Sequence, residues 1–248
     1  MKTKSFHNTP IITESQSPSA KNIALTACFA AIYVVFSTWN LFPVIGDETR
    51  FITAAVATAP LIGIILGPIY GVLSITLGGI ASAFLSSSGI FWPFSFLPHV
   101  AAAFASGMLT IRKQAICSVS YLLLFIVFAF FPTNGPVWLW PLMLWLDLIG
   151  LIIVASPLQA KAIKCLNEAS SSLYLGLGVF VTCLSATLFG HVTGSILFEI
   201  FYLPIYPVDV WRAKWGFLTF IYPIERIMIT IVATIVGIAL IKALKSMT

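Results

Sequence analysis

Six ionisable side chains stand inside long apolar runs of this chain: His99, Asp147, His191, Glu199, Glu225 and Arg226. Such groups are costly in hydrocarbon, so they tend to face a bundle interior or a cavity and to mark a binding site or an ion path. Metal ligation is weakly supported as their chemistry: no HExxH or comparable spacing occurs, and the candidates sit singly on separate runs. Hydrogen bonding and ion pairing with a small polar molecule suit them better. Asp147 falls near the middle of its run and is the hardest to leave alone; His191 and Glu199 are its natural partners from a neighbouring helix. Glu225 and Arg226 are adjacent, so they point ~100° apart on a helix. They are expected not to face one direction together, and a structural ion pair and a ligand contact remain equally open.

The elements that must position these groups are membrane helices. Hydrophobic residues make up 59% of the 248 and charged residues 8%, and the apolar runs approach the ~20 residues that cross ~30 Å of hydrocarbon. The fold class is therefore an all-α, polytopic transmembrane bundle. Eight runs follow in order: Asn22 to Leu41, Phe51 to Leu66, Ile69 to Ser86, Pro93 to Ile111, Ala115 to Phe131, Val137 to Ser156, Leu173 to Tyr202 and Phe217 to Ile241. Gly67-Pro68 separates the second run from the third. Proline has no N–H to donate and disfavours helical geometry at the residue before it, so two helices are expected to meet there in a tight turn.

Residues 1–20 are polar and are expected to be a disordered tail, with residues 21–248 forming one transmembrane domain. A signal peptide is not expected, because the first apolar run is of full membrane length. The net charge of +5 does not point to nucleic acid, since the cations sit in loops. Lys2, Lys4, Lys21, Arg112, Lys113, Lys161, Lys164, Lys242 and Lys245 fall on one side of the alternating runs; Arg50, Arg212 and Lys214 fall on the other. The positive-inside rule then makes both termini cytoplasmic. The four cysteines form no CxxC pair and suggest neither metal site nor disulfide.

With that orientation the buried ionisable groups all lie at or outside the midplane. A path across the bilayer needs polar groups at every depth, whereas a pocket open to the outside needs them only in the outer half. The outer loops add Trp92, Asn134, Trp138, Trp140, Tyr206, Trp211 and Trp215, with Asp47, Glu48 and Arg50. Aromatic walls with a few convergent polar groups are the mark of a small-molecule site. The candidate substrate-binding set is His99, Asp147, His191, Glu199, Glu225, Trp138, Trp211 and Arg50. Each has a plainer alternative: interfacial Trp residues form headgroup belts, and His99, after Pro98, can simply bond a backbone carbonyl.

Ala20, Ala24, Ala27 and Ala31 recur at i, i+4, i+7 and i+11, a stripe of small side chains on the first helix. Such stripes let backbones approach closely. Packing within the same bundle explains the stripe on spacing alone; the sharper reading is a docking face for a separate membrane subunit.

Together these features resemble the substrate-binding S component of an energy-coupling factor (ECF) vitamin transporter. The resemblance is carried by Pro60-Leu-Ile-Gly63 leading into Leu66-Gly67-Pro68-Ile-Tyr-Gly71, by the alanine stripe, and by Tyr222-Pro223-Ile-Glu225-Arg226 at the start of the last run. The family's usual core has six spans, so six to eight are expected here. The resemblance implies a non-enzymatic subunit, without cofactor or bound metal, that captures a vitamin or similar small molecule at its outer face. A transmembrane coupling subunit would grip the alanine face, and two cytosolic ATPases would drive release. This chain has no GxxxxGK[ST] motif of its own. The first outer loop, Asn40 to Arg50, would act as a lid. Alternatives are a self-contained secondary transporter, a structural subunit of a larger complex, and an intramembrane enzyme. Thiamine, riboflavin, a pterin and a cobalamin precursor all suit the aromatic outer surface as substrates.

Overall fold

At Gly67 the backbone has φ 75° and ψ −179°, a conformation that side-chain-bearing residues avoid, and it folds α2 (Ala55–Leu85) back on itself. Four residues to either side of the turn, Gly63 and Gly71 meet: a Cβ on Gly71 would lie 3.0 Å from Gly63 Cα. In one straight helix those residues would be ~12 Å apart along the axis. The arms, 55–66 and 68–85, form the hairpin expected from Gly67-Pro68. α3 (Leu97–Thr110) closes over it, because Gly107 has no Cβ to strike Pro68 N, which would be 2.5 Å away.

The structure is a computed structural model that describes residues 20–44, 47–86, 91–168 and 171–246, with backbone alone for 42–44, 47–50 and 245–246. The expected polar tail lies outside the described residues but for Ala20, which starts α1 (Ala20–Ser37). α1 buries Asn22, Thr26, Phe29 and Tyr33 against the second arm of α2, where Ser74 Oγ donates to Thr26 O at 3.1 Å. Two antiparallel strands follow, β1 (Asn40–Val44) and β2 (Asp47–Thr53). Then come α4 (Gln114–Ala129), the single-turn α5 (Pro136–Leu139), a 3-10 turn (Pro141–Leu144), α6 (Trp145–Ala155), α7 (Pro157–Glu168), α8 (Ser172–Tyr202) and α9 (Val208–Ser246).

The molecule is an all-α polytopic membrane bundle carrying one small hairpin. By length and composition four helices among the described residues suffice to cross a bilayer: α1, α8, Val208–Leu244 of α9 and the 31 residues of α2, which the turn at Gly67 divides into two arms. A fifth arises if Pro141–Ala155 and Pro157–Glu168, bent by 63°, count as one broken span. The eight runs of the sequence are thus not eight full-length helices.

Several boundaries differ from expectation for identifiable reasons. Asn40–Leu41 and Phe51–Thr53 leave their helices for the strands, where backbone pairing satisfies their polar groups. The run Val137 to Ser156 is broken by Pro141 into α5, the 3-10 turn and α6. The stretch holding Lys161 and Lys164, expected to be a loop, is helix α7. Its Gln159, Ala162, Ile163 and Leu166 form one buried face, packed where Gly178 of α8 leaves room for Ala162 and Leu166. α9 begins at Val208 rather than Phe217, because Trp211, Trp215 and Leu218 continue its buried stripe beneath Arg212 and Lys214.

Candidate functional site

Five elements converge on a cavity of about 140 Å³, α2 through Val56 alone. α8 supplies Thr187, Gly190, His191, Gly194, Ser195 and Phe198, one face of a helix read at three- and four-residue steps. α9 supplies Leu218, Tyr222, Glu225 and Arg226 by the same periodicity. Phe91, Ser95, Pro98, His99 and Ala102 come from α3 and the segment before it, and Phe51, Ile52 and Thr53 from the end of β2. Glycine explains how α8 reaches α3: a Cβ on Gly190 would lie 2.6 Å from Pro98 O, and one on Gly194 3.5 Å from Pro98 Cγ. Close approach there puts His191 and His99 on one cavity.

α9 is held in place across a proline. Pro223 cannot donate to Thr219 O four residues back. The indole N–H of Trp145 donates to that carbonyl instead, at 3.1 Å, tying the α9 segment that carries Tyr222 to the start of α6.

The polar groups form two linked sets. Tyr33 of α1 and His99 are hydrogen-bonded, Oη to Nδ1, at 2.5 Å. His191 stands edge-on to Tyr222 with ring centroids 4.5 Å apart, and the Arg226 guanidinium lies over the same Tyr222 ring at 5.5 Å. Arg226 Nη2 is 3.8 Å from Glu225 Oε2, and both side chains are nearly buried. The expectation that Glu225 and Arg226 could not face one direction is therefore corrected. They lie three and four residues beyond Tyr222, and long side chains on either side of that line converge on the same cavity.

The candidate residues separate clearly. His99, His191 and Glu225 line the cavity. Asp147 is fully buried behind its wall, Oδ1 3.9 Å from His191 Nε2. Glu199 is fully buried one turn beyond Ser195 and does not line the cavity; neither oxygen has a hydrogen-bond partner among the described residues. Trp211 is core, packed on Phe198 and Trp215 at 5.2 Å from each. Trp138 is 57% exposed, donates to Phe131 O and lies away from the cavity. Arg50 sits in β2, with its side chain outside the described residues. Not anticipated as site residues were Thr187, Ser195 and Tyr222. Thr187, His191, Ser195 and Glu199 do recur every fourth residue, a polar stripe legible in the sequence. Among the described residues no three His, Cys, Asp or Glu side chains group as metal ligands.

Ala20, Ala24, Ala27 and Ala31 are all exposed, opposite the buried face of α1. Packing inside this chain does not account for the stripe.

A family model described as "ECF-type riboflavin transporter, S component" matches residues 17–164, more than half of the chain. The chain belongs to this family. No curated protein and no solved structure matches it. As an ECF S component it is a multi-pass membrane protein and the substrate-binding subunit of a transporter. The match takes in α1 to α6 and most of α7, so the α3 and β2 walls of the cavity fall inside it and the α8 and α9 walls outside.

Proposed function

We propose that this S component captures riboflavin in the cavity between β2, α3, α8 and α9, for uptake driven by partner subunits. The observation that carries this reading is the lining. Phe51, Phe91, Phe198 and Tyr222 offer apolar and aromatic walls, while Ser95, Thr187, Ser195, His99 and His191 offer hydrogen-bonding groups. A flat heterocycle with a hydroxylated chain needs both. The family description, which names riboflavin, supports the same substrate. At about 140 Å³ the cavity is smaller than the ~300–1,000 Å³ of ordinary ligand sites. Capture therefore requires the β1–β2 hairpin, whose last three residues form one wall, to move as a lid.

The exposed alanines of α1 support docking on a transmembrane coupling subunit. Two cytosolic ATPases would power release, since the chain lacks a phosphate-binding loop motif. Both termini face the cytoplasm in this reading. Arg112 with Glu168 and Lys242 with Ser172 place cations from separate elements at one end, as positive-inside topology requires.

Titration of riboflavin into the purified chain tests the substrate. Saturable quenching of flavin fluorescence, unaffected by excess thiamine, is expected. Absence of quenching, or competition by thiamine, overturns the assignment.

A further inference from the structure

We propose that Asp147 is a positioning residue for substrate capture: from behind the cavity wall its carboxylate orients the His191 imidazole and thereby sets which hydrogen-bonding group the cavity presents. This rests on the reading of the cavity as the substrate site.

Asp147 is fully buried, and both its oxygens lack a hydrogen-bond partner among the described residues. A carboxylate taken out of water needs compensation from its surroundings. Arg226 and the Tyr121 hydroxyl interact with the Asp147 carboxylate electrostatically; the side chain in contact range is His191, whose Nε2 is 3.9 Å from Oδ1 and is itself buried without a hydrogen-bond partner among the described residues. That separation exceeds an N–H···O bond of ~2.9 Å by only ~1 Å, within the adjustment of a side chain when a ligand seats.

The backbone is built for this approach. Gly150, one turn from Asp147 on α6, meets Leu188 of α8: a Cβ there would lie 3.0 Å from Leu188 Cδ1 and 2.4 Å from the Tyr121 hydroxyl. One turn along α8 from Leu188 is His191, opposite Asp147. A side chain at position 150 would strike the Tyr121 hydroxyl and crowd Leu188.

The two partners face different spaces. His191 lines the cavity and Asp147 does not. An imidazole whose Nε2–H points at a carboxylate is held in one tautomer, and its Nδ1 becomes an acceptor. The cavity then offers an acceptor at His191, suited to a ligand N–H or O–H. Riboflavin carries both, on its imide ring and its hydroxylated chain. Packing of His191 edge-on to Tyr222 fixes the remaining freedom of the ring.

The test uses the full chain in detergent, with riboflavin as probe. Asp147→Leu removes the acceptor while keeping the branching of the side chain; Asp147→Asn keeps an oxygen acceptor at similar volume. Asp147→Leu is expected to weaken riboflavin binding about tenfold or more, the scale of one lost hydrogen bond, and Asp147→Asn by less. In a His191→Ala background Asp147→Leu is expected to add nothing, as holds for a residue that acts through another. Equal losses in both backgrounds, or unchanged affinity in Asp147→Leu, overturn the proposal. Nitrogen-15 spectra of labelled histidines, assigned with His99→Gln and His191→Gln, read the pair without ligand. The Nε2–H tautomer is expected at His191 in the wild type, with an Nε2 shift that moves in Asp147→Leu; an Nδ1–H tautomer in the wild type overturns the proposal even where Asp147→Leu does not fold. If the wild type binds no riboflavin, the substrate assignment fails while the spectra still decide the role of Asp147.

Discussion

Single residues in this protein act mostly by what they omit. Gly67 has nothing within 4 Å of where a Cβ would stand, so only its backbone conformation forbids a side chain. Gly67→Ala is expected to cost ~1–3 kcal/mol from that conformation alone, read as a lower midpoint of thermal unfolding. Gly107→Ala tests the opposite case, an ordinary backbone whose added methyl strikes Pro68, with ~1–3 kcal/mol expected from overpacking. Wild-type melting in both would mean that the hairpin turn tolerates side chains and does not organise the fold. Pro223 omits a donor, and Trp145 supplies one to the carbonyl left over. Trp145→Phe is expected to cost ~1–3 kcal/mol by leaving Thr219 O unsatisfied, a loss that unchanged melting would refute.

At the scale of elements, α1 is two-faced. Its Tyr33 reaches His99 on the cavity, while Ala24 and Ala27 face outward on the other side. Replacing Ala24 and Ala27 together with Leu is expected to leave riboflavin affinity within about twofold, because surface changes away from packed or bonded groups alter free energies little. Riboflavin uptake by cells is expected to be abolished, because bulk would hold a docking helix away. Normal uptake by that double variant removes the docking face. α7 shows how an element can hide. Its basic face looks like a loop in sequence, yet Gln159 is fully buried, accepting from Ser185 Oγ at 2.7 Å and placed 3.4 Å from Thr182 Oγ1. Gln159→Leu strands the Ser185 hydroxyl and is expected to lower stability by ~1–3 kcal/mol, measurable in a denaturant or thermal scan.

For the whole molecule, ligand and fold are linked. A substrate that closes the β1–β2 hairpin over the cavity binds the native state alone. At a hundredfold excess over its dissociation constant it adds ~2.7 kcal/mol to stability. Riboflavin is accordingly expected to raise the melting midpoint in a concentration-dependent way, and thiamine is expected not to. Identical shifts from both vitamins would point to a site without the selectivity proposed here.

Much of this was present in the residues themselves. Apolar composition demands membrane helices, and Gly67-Pro68 demands a turn, because both follow from local chemistry acting within a few bonds. The set of costly polar groups and the alanine stripe are equally local facts. Which of them share a site is not local. His99, His191, Glu225 and Arg226 meet because Gly190 and Gly194 let α8 close on Pro98, a contact between segments about ninety residues apart in the chain. The rotation of each helix, set by such contacts, sends Trp211 into the core and Trp138 to the surface although both are outer tryptophans in the sequence. It also leaves the alanines of α1 uncovered. Helical periodicity determines which residues share a face; only the packing of several helices determines what that face meets, and for the cavity, the wall behind it and the exposed alanine stripe that was decided by tertiary structure.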